Sequence, residues 1–212
     1  MNKLIISVDG PAGSGKERIA KYISNKYKLY HLDSGILYRR LSLKLIKNKI
    51  NFDSTKEIYK FIKSIKKLSC RKHPSLRNEK IGKFTSQIAI YPFVREFINN
   101  QQHIIVKNLH KKNIGCVIDG RDIGSKVFKN AQIKLFINVN IEIRAKRRHK
   151  QLIEQGEKSI YSQILKDIKL RDRTDKNRKA SPLMVPNKAI MINNSYCFRD
   201  TTIQINNALK YI

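Results

Sequence analysis

The chain has 212 residues, enough for one α/β domain with a substantial core, and 41% of them are apolar. No apolar run approaches the ~18 residues that a membrane span requires, and the N-terminal residues lack the layout of a signal peptide. The three cysteines, Cys70, Cys116 and Cys197, are scattered, which predicts small thiols in a reducing cytosol rather than a metal site or a disulfide framework. We therefore expect a cytoplasmic protein that does not contact a membrane.

The charge is strongly basic. Lys and Arg total 45 against 16 acidic residues, which gives a formal net charge of +29. Such a field attracts polyanions, including nucleotides and nucleic acid. The lysines are spread from Lys3 to Lys210 rather than gathered in one block, which is typical of a chain generally rich in Lys, Asn and Ile. The charge allows non-specific nucleic-acid binding, but it requires no nucleic-acid partner and assigns no function.

Short apolar runs alternate with amphipathic helical patterns along the chain. The predicted strands are residues 3–8, 29–35, 115–120, 133–139 and 187–195. The predicted helices are residues 17–27, 36–49, 54–68, 78–91, 94–112, 141–158, 159–178 and 201–212. Ser54 and Asn140 are predicted to cap the helices that follow them. This alternation predicts an α/β fold with a parallel sheet covered by helices on both faces, as one domain with two small insertions over the strand ends.

The segment "GPAGSGK" links the first strand to the first helix. It fits the spacing G-x-x-x-x-G-K, with Gly10, Gly15 and Lys16 at the fixed positions. Glycines let backbone N–H groups turn toward a phosphate, and the lysine reaches the terminal phosphates from the start of the helix. The apolar strand before the segment and the amphipathic helix after it strengthen the motif. The segment therefore predicts a nucleotide-binding phosphate loop, of the kind that defines P-loop NTPases.

The two residues after the loop depart from the usual pattern. A hydroxyl normally follows the lysine, but this chain has Glu17 and Arg18. The change removes a ligand for Mg²⁺ or a donor to the α-phosphate and places a carboxylate near a polyanion. Either Glu17 weakens the site, or it points to solvent from the first helical turn, where a carboxylate suits the helix dipole. We expect weaker ATP binding.

Arginine stands out at a few positions of this lysine-dominated chain. Arg39, Arg95 and Arg121 follow turn-like or small residues. Planar guanidinium groups suit the α-phosphate of a nucleoside monophosphate better than ammonium groups do. Arg171, Asp175 and Arg178 lie at i, i+4 and i+7, on one helical face. By periodicity alone that face is typical of a solvated, salt-bridged surface, and the phosphate loop upstream is what favours a binding site.

Five segments, in order, resemble one known family. They are "VDGPAGSGK", "LDSGILYR", "TSQIAIYPFVRE", "DGRDIGSKVF" and "IKLRDRTDKNRKASPL". Together they closely resemble bacterial cytidylate kinase, a family of P-loop nucleoside monophosphate kinases, over nearly the whole chain. The resemblance implies transfer of the ATP γ-phosphate to CMP or dCMP with Mg²⁺ as cofactor, in pyrimidine nucleotide metabolism. It also implies a core at about 1–50, 112–145 and 186–212, a monophosphate-binding insertion at about 51–111 and a helical lid at about 146–180.

The resemblance assigns roles to individual residues. The residues that it implies for the CMP phosphate are Arg39, Arg121 and Arg178. Those implied for the ribose are Ser34, Arg171 and Asp175, and those implied for cytosine are Ser86, Arg95 and Asp122. The predicted catalytic residues are Lys16, Arg39, Arg121, Arg171 and Arg178. A carboxylate can accept from the exocyclic amine of cytosine and a guanidinium can donate to its ring acceptors, although Asp122 could equally form a plain salt bridge with Arg121 or Arg95.

The donor side is assigned in the same way. The predicted ATP-binding residues are Gly10, Pro11, Ala12, Gly13, Ser14, Gly15, Lys16, Glu17, Arg18, Arg144 and Arg148. Arg144, Arg147 and Arg148 are candidates to cover the ATP phosphates as a lid, with one or two of them acting so and the rest on the surface. Asp119 is placed like a carboxylate near the metal, whereas Asp9 could equally form a turn. No residues are predicted to form a metal site made by the protein alone.

One segment is shorter than the family pattern. Between "KKLSCRKHPSL" and "RNEKIGKFTSQ" the chain lacks most of a β-hairpin that bacterial members carry over the CMP site, although Arg77 still falls where the family has an arginine. We expect a more open acceptor pocket with weaker CMP binding and unchanged chemistry. The alternative is a degenerate P-loop protein that binds RNA through its charge without turnover. A different small-molecule kinase on the same fold fits the loop but not the later motifs. We expect a monomer.

Overall fold

The structure is a computed structural model that describes residues 3–210, except for the side chains of Arg77 and Glu79. The chain divides into two compact units. The first unit contains Leu32–Cys116, and the second contains Leu4–His31 and residues 117–210. None of the helices within these described residues combines the length and apolar character needed to cross a membrane.

Between residues 3 and 210, five strands form a single parallel sheet, as the alternating pattern predicted. In chain order they are β1 (Ile5–Asp9), β2 (Tyr30–Asp33), β3 (Cys116–Gly120), β4 (Ile133–Asn138) and β5 (Ile190–Asn193). Their order across the sheet is β2-β3-β1-β4-β5. In the register of the last three strands, Leu135 of β4 lies between Val8 of β1 and Ile190 of β5. The sheet places the ends of β1 and β3, and so Asp9 and Asp119, at the same edge.

Within the described residues, eight α-helices connect and flank these strands. They are α1 (Lys16–Tyr27), α2 (Ser34–Lys47), α3 (Thr55–Ser64), α4 (Glu79–Ile88), α5 (Pro92–Lys111), α6 (Ile141–Glu154), α7 (Tyr161–Asn177) and α8 (Phe198–Ala208). The two predicted caps are confirmed: the Ser54 side chain accepts from the Glu57 N–H, and the Asn140 side chain accepts from the Glu142 N–H. Pro92 stands in the first turn of α5, where its missing N–H costs no hydrogen bond.

Each unit has its own apolar core. In the second unit, α1 buries Ile19, Ala20 and Ile23, spaced on one face, in the same cluster as Ile6 and Val8 of β1. Burial of each large aliphatic side chain contributes about 1.5–3 kcal/mol. In the first unit the buried cluster draws on four helices and on Leu68 between α3 and α4, and it comprises Leu37, Tyr38, Leu41, Leu45, Ile58, Ile62, Leu68, Ile88, Val94 and Ile98. These cores hold the elements on which the polar residues stand.

Several boundaries differ from the sequence-based expectation, and three of them lie beside residues of the candidate site. Helix α2 begins at Ser34 directly after β2, without the turn predicted for "LDSG". Helix α8 begins at Phe198, earlier than the predicted start at Thr201. Helix α7 ends at Asn177, and Arg178 has an extended backbone, so Arg178 lies just beyond the helix rather than on its face. All three differences concern the ends of helices, which the spacing of apolar residues does not define.

Strand β5 lies at an edge of the sheet. The N–H of Asn193 donates to Oε1 of Gln204 at 2.8 Å, and Nε2 of Gln204 donates to the Asn193 carbonyl at 2.9 Å. The neighbouring residue Asn194 turns its own N–H to the Asn138 carbonyl of β4. One side chain of α8 therefore satisfies the outward-facing backbone of Asn193.

Candidate active site

The phosphate loop lies between β1 and α1, as predicted. Gly13 and Gly15 have φ angles of 71° and 82°, in the left-handed region that favours glycine. A Cβ atom on Gly15 would lie 2.4 Å from Nδ2 of Asn194, so the loop has no room for a side chain there. The loop therefore has both the backbone conformation and the close packing that a phosphate cradle requires.

Asn194, which the sequence analysis did not single out, holds the loop from the other side. Its Nδ2 donates to the Ser14 carbonyl at 2.8 Å, and its Oδ1 accepts from the Thr201 hydroxyl at 2.8 Å. Asn194 is 5% exposed and Thr201 is fully buried. A buried amide satisfied at both ends fixes the orientation of the loop backbone. Asparagine is frequent throughout this chain, so no sequence signal marked Asn194.

Lys16 is buried at the start of α1. Its Nζ donates to the Pro11 carbonyl at 3.0 Å. Its pKa is lowered to about 7, mainly by burial and then by the positive charges of Arg121 and Arg171, while the negative charges of Asp119 and Asp175 oppose this shift. A phosphate at the loop would supply the counter-charge that favours the protonated ammonium.

Asp9 is the last residue of β1, and it binds a turn that lies far away along the chain. Its two carboxylate oxygens accept from the N–H groups of Ile123 at 2.8 Å and Gly124 at 2.7 Å. Burial raises its pKa to about 7, against the lowering effect of these two hydrogen bonds. A Cβ atom on Gly124 would lie 3.2 Å from Oδ2 of Asp9, so glycine allows this approach. Asp9 therefore positions the turn that directly follows Arg121 and Asp122.

The turn after β3 and the end of α7 bring four predicted acceptor residues together. Nε of Arg121 donates to Oδ2 of Asp175 at 3.0 Å, and Nη1 of Arg178 donates to Oδ1 of Asp175 at 3.2 Å. Nη2 of Arg178 lies 3.8 Å from Oδ1 of Asp122. The carboxylates thus hold two guanidinium groups side by side, so this face is not a solvated surface. The described ion pair of Asp122 is with Arg178, a partner that the sequence analysis did not name.

Arg171 belongs to the same cluster, because its charge acts on the carboxyl group of Asp175. Burial raises the pKa of Asp175, but the positive charges of Arg121, Arg178 and Arg171 outweigh it and hold that pKa below its usual value. Because Arg121, Arg171 and Asp175 also act on the pKa of Lys16, the cluster and the phosphate-loop lysine share one electrostatic field. The second unit therefore concentrates cationic groups beside a phosphate loop.

The two unusual residues after Lys16 have different surroundings. The guanidinium carbon of Arg18 lies 3.8 Å from the ring centroid of Phe198, a cation–π contact between α1 and α8. Glu17 is half-buried in the first turn of α1 rather than fully exposed to solvent. Arg18 thus packs on an aromatic ring, and its effect on ATP binding stays a prediction.

The three lid candidates on α6 differ from one another. Arg144 is buried and donates to the Ala12 carbonyl and to Asp172. Arg147 donates to the carbonyls of Asn194 and Tyr196. Arg148 donates to the side chain of Gln151 on the surface. Only Arg144 contacts the phosphate loop through a described hydrogen bond, and contact of Arg144 or Arg148 with ATP stays a prediction.

Asp119, at the end of β3, pairs with a histidine. Nε2 of His31 lies 2.7 Å from Oδ1 of Asp119, and both side chains are buried. A neighbouring strand thus fixes the orientation of the carboxylate, which the sequence did not predict. The described part of the chain contains no group of three or more His, Cys, Asp or Glu side chains that could hold a metal ion by itself.

The remaining acceptor candidates lie in the first unit. Nη1 of Arg39 donates to the Leu76 carbonyl at 2.9 Å, and Nη1 of Arg95 donates to the Ala89 carbonyl at 3.2 Å. Ser34 is buried at the start of α2, whereas Ser86 on α4 is exposed and donates to the Gly82 carbonyl. The side chain of Arg77 lies outside the described residues. The joint role of these groups with the residues of the second unit stays a prediction.

Comparison with known proteins decides the family. The sequence model of the cytidylate kinase family matches residues 6–210. The chain belongs to the cytidylate kinase family. It is 36% identical to cytidylate kinase from Fusobacterium nucleatum over 222 residues, which covers 100% of this chain and 96% of that protein. It is 40% identical to cytidylate kinase from Rickettsia akari, with 90% and 84% covered, and 34% identical to that from Bartonella tribocorum, with 97% and 93% covered.

Solved structures support the fold alone. The crystal structure of TT1252 from Thermus thermophilus matches with a TM-score of 0.52 at 14% identity, covering 100% of this chain and 99% of that one. Together with the strand–loop–helix at Gly10–Lys16, this confirms the P-loop α/β fold. The family match also confirms the resemblance identified from the five segments. No observation among the described residues favours the RNA-binding alternative.

Proposed function

We propose that the protein transfers the γ-phosphate of ATP to CMP or dCMP, giving ADP and CDP or dCDP. The observation that carries the proposal is the shared field of Lys16 and the cluster formed by Arg121, Arg171 and Asp175, which unites a phosphate loop with an arginine cluster. Membership of the cytidylate kinase family over residues 6–210 supports the choice of acceptor.

The reaction requires positioning and charge stabilisation rather than a protein base. The attacking oxygen belongs to the CMP phosphate, which is already an anion, so no general base is needed. Lys16 and the loop N–H groups hold the terminal phosphates of ATP. Arg39, Arg121 and Arg178 hold the acceptor phosphate and spread positive charge over the transferring group. The buried setting of Lys16 and Arg178 limits access of water, which would otherwise hydrolyse ATP.

The acceptor base is selected by hydrogen-bond complementarity. In this proposal the Asp122 carboxylate accepts from the exocyclic amine of cytosine, and Arg95 and Ser86 contact the polar edge of the ring. Uracil has a carbonyl where cytosine has that amine, so a carboxylate facing it would lose a hydrogen bond and repel the carbonyl oxygen. Ser34, Arg171 and Asp175 contact the ribose. The burial of Asp122 supports such discrimination.

Mg²⁺ fits the site as an ion carried mainly by ATP. It prefers oxygen ligands and keeps several waters, so one or two carboxylates suffice on the protein side. Asp119, whose orientation His31 fixes, is the carboxylate that would contact the shell of the ion. When bound, the ion would neutralise charge on the β- and γ-phosphates.

The test is ADP release measured with CMP, dCMP, UMP and AMP as separate acceptors at fixed ATP and Mg²⁺. We expect saturable activity with CMP or dCMP and much weaker activity with UMP and AMP. Activity with AMP and none with CMP or dCMP would overturn the proposed specificity. ATP binding without turnover on any of the four acceptors would overturn the proposed activity.

The shortened segment before α4 leads to a narrower proposal. It leaves less chain over the acceptor site, which weakens CMP binding without changing the transfer step. The Michaelis constants for CMP and dCMP, measured beside those of a family member with the full-length segment, test this point. Equal constants for the two proteins would refute the weakening.

We also propose that the protein acts as a monomer in the cytoplasm. The occupation of the Asn193 backbone by Gln204 supports this state, because it hinders pairing of β5 with another chain. Sedimentation at working concentration tests the oligomeric state, and a stable dimer would refute the proposal.

A further inference from the structure

The hydrogen bonds of Arg144 link two parts of the second unit. Nη1 donates to the Ala12 carbonyl in the phosphate loop at 3.0 Å and to Oδ1 of Asp172 on α7 at 3.1 Å. Nη2 donates to Oδ2 of Asp172 at 2.6 Å, and Nε donates to the Val139 carbonyl at 3.3 Å. One guanidinium group thus joins the loop to α7.

These bonds leave little capacity for a nucleotide. A guanidinium group has five N–H donors, and the four hydrogen bonds of Arg144 use four of them. The side chain is 5% exposed, and the paired carboxylate of Asp172 is 14% exposed. A Cβ atom on Gly13 would lie 3.6 Å from Cβ of Arg144, so the loop also packs on the stem of the arginine. Gripping a phosphate with two N–H groups would require Arg144 to break part of this buried pair.

Asp172 stands within one turn of the acceptor residues. Asp175, one helical turn further along α7, holds Arg121 and Arg178, and Arg171 is the direct neighbour of Asp172. A bidentate pair between a carboxylate and a guanidinium fixes both the distance and the orientation of its two partners. A shift of the loop at Ala12 is therefore transmitted through Arg144 to this part of α7.

We propose that Arg144 and Asp172 form a positioning pair that couples nucleotide binding at the phosphate loop to the placement of α7 and its acceptor residues. The pair acts through the loop backbone and the helix, and it does not itself contact the reacting phosphates. This proposal rests on the proposed function, because that function is what assigns residues of α7 to the acceptor CMP. The coupling between the phosphate loop and α7 can be measured with ATP alone.

The test is a double-mutant cycle on Arg144→Met, Asp172→Leu and the double variant. The dissociation constant of ATP and the ATP-induced slowing of hydrogen exchange in residues 165–177 are measured without CMP. Each single substitution is expected to raise the dissociation constant about tenfold, which corresponds to the loss of one hydrogen bond to a charged group. The double variant is expected to match the single variants, because the two residues act as one unit. ATP-induced protection of α7 is expected in the wild type and lost in all three variants.

A role as a direct ATP ligand predicts a different pattern. In that case Asp172→Leu would leave the affinity for ATP unchanged or would tighten it by releasing the guanidinium, while Arg144→Met alone would weaken it. That pattern, additive effects in the double variant, or unchanged ATP-induced protection of α7 would each overturn the proposal. The dissociation constant of ATP and the protection of α7 are both measured without CMP. Failure of the wild type to phosphorylate CMP would therefore overturn the proposed function and not the coupling.

Controls separate positioning from stability. Asp167→Asn removes a charge from the exposed side of α7, where Oδ1 of Asp167 accepts from Gln163, and it should change neither readout. A single variant leaves a buried charge without its partner and could unfold, whereas the double variant removes both charges and should keep its fold. Asp172→Asn, which keeps an oxygen acceptor, replaces Asp172→Leu if the latter does not fold. A double variant that folds and still shows wild-type affinity for ATP and wild-type protection would refute the pair.

Discussion

The described hydrogen bonds of the candidate site's arginines differ between the two units. In the second unit, carboxylates hold three of these guanidinium groups: Asp175 binds Arg121 and Arg178, and Asp172 binds Arg144. In the first unit, the described hydrogen bonds of Arg39 and Arg95 go to main-chain carbonyls. A carboxylate partner fixes a guanidinium strongly but competes with an incoming phosphate, whereas a neutral carbonyl competes less. These carboxylate pairs therefore give the second unit a rigid charged frame around three guanidinium groups.

The most severe test of the frame is Lys16→Ala. Lys16 is the cation at the start of α1 that contacts the loop carbonyl of Pro11, and its loss removes charge at the transferring phosphate. We expect kcat/KM for CMP-dependent ADP release to fall about a thousandfold. Lys21→Ala, an exposed lysine on the same helix, is the matched control and should retain full activity. An active Lys16→Ala variant would show that the loop does not act as proposed.

The comparison itself is tested by Arg178→Lys beside Arg39→Lys. Both substitutions keep the charge and lose the planar fork, so we expect kcat/KM to fall about a hundredfold in each. Arg178→Lys should also lower the melting temperature clearly, because Asp175 and Asp122 are largely buried carboxylates whose contacts with the guanidinium would be lost. Arg173→Lys, exposed on α7, is the control. A melting temperature of Arg178→Lys equal to that of the wild type would contradict the carboxylate frame.

A smaller effect is expected when Asp122, the proposed contact of the cytosine base, is replaced. Asp122→Asn places an amide where the carboxylate would accept from cytosine, and the amide can also donate to uracil. We expect the preference for CMP over UMP, as a ratio of kcat/KM values, to fall about tenfold. The ratio is the informative quantity, since Asp122 also lies near Arg178 and its loss lowers both rates. An unchanged ratio would assign Asp122 to the salt bridge alone.

The mildest test is the pH dependence of stability without nucleotide. Burial lowers the pKa of Lys16 from 10.5 to about 7. Between these values the unfolded chain binds a proton that the folded chain does not, so this group makes stability rise with pH. Lys16→Met should therefore be more stable than the wild type at pH 7, and the difference should shrink toward pH 10. Urea midpoints across this range measure it, and a constant difference would contradict the lowered pKa.

Asp9 contributes the opposite slope at lower pH. Burial raises its pKa from 3.8 to about 7, so between these values the folded chain binds the extra proton. Stability from this group is present in full below about pH 4 and is lost as the pH rises through 7. An Asp9→Asn variant should lack this slope, although it also loses one acceptor for the N–H groups of Ile123 and Gly124.

Local signals predicted much of the fold. The phosphate loop, the five strands and the caps at Ser54 and Asn140 follow from short sequence patterns, because glycine spacing, β-branched runs and capping residues act over a few residues. The helix boundaries at Ser34 and Asn177 could not be read in this way, since they depend on where tertiary packing ends each helix. Asn194 and His31 were missed because each makes its decisive contact with a residue far away along the chain.

The role of Arg144 shows the same limit within the site. Its place on the helix after β4 was predicted, and so was its closeness to the donor phosphates. The choice between a nucleotide and Asp172 as its main partner depends on a residue 28 positions away. Periodicity places Asp172 on α7 but does not say which side chain it meets. Side-chain pairing between helices depends on how the helices pack, so it follows from the three-dimensional structure and not from the local sequence.

The amide of Gln204 has a consequence for association between copies of the chain. An edge strand with open N–H and C=O groups is a template on which a further strand can add. At Asn193 that template is already occupied by a side chain that offers one acceptor and one donor, as a neighbouring peptide group would. A strand from another chain would first have to displace the Gln204 side chain from the backbone of Asn193. The protein thus ends its own sheet at Asn193 with a single glutamine from the helix that follows.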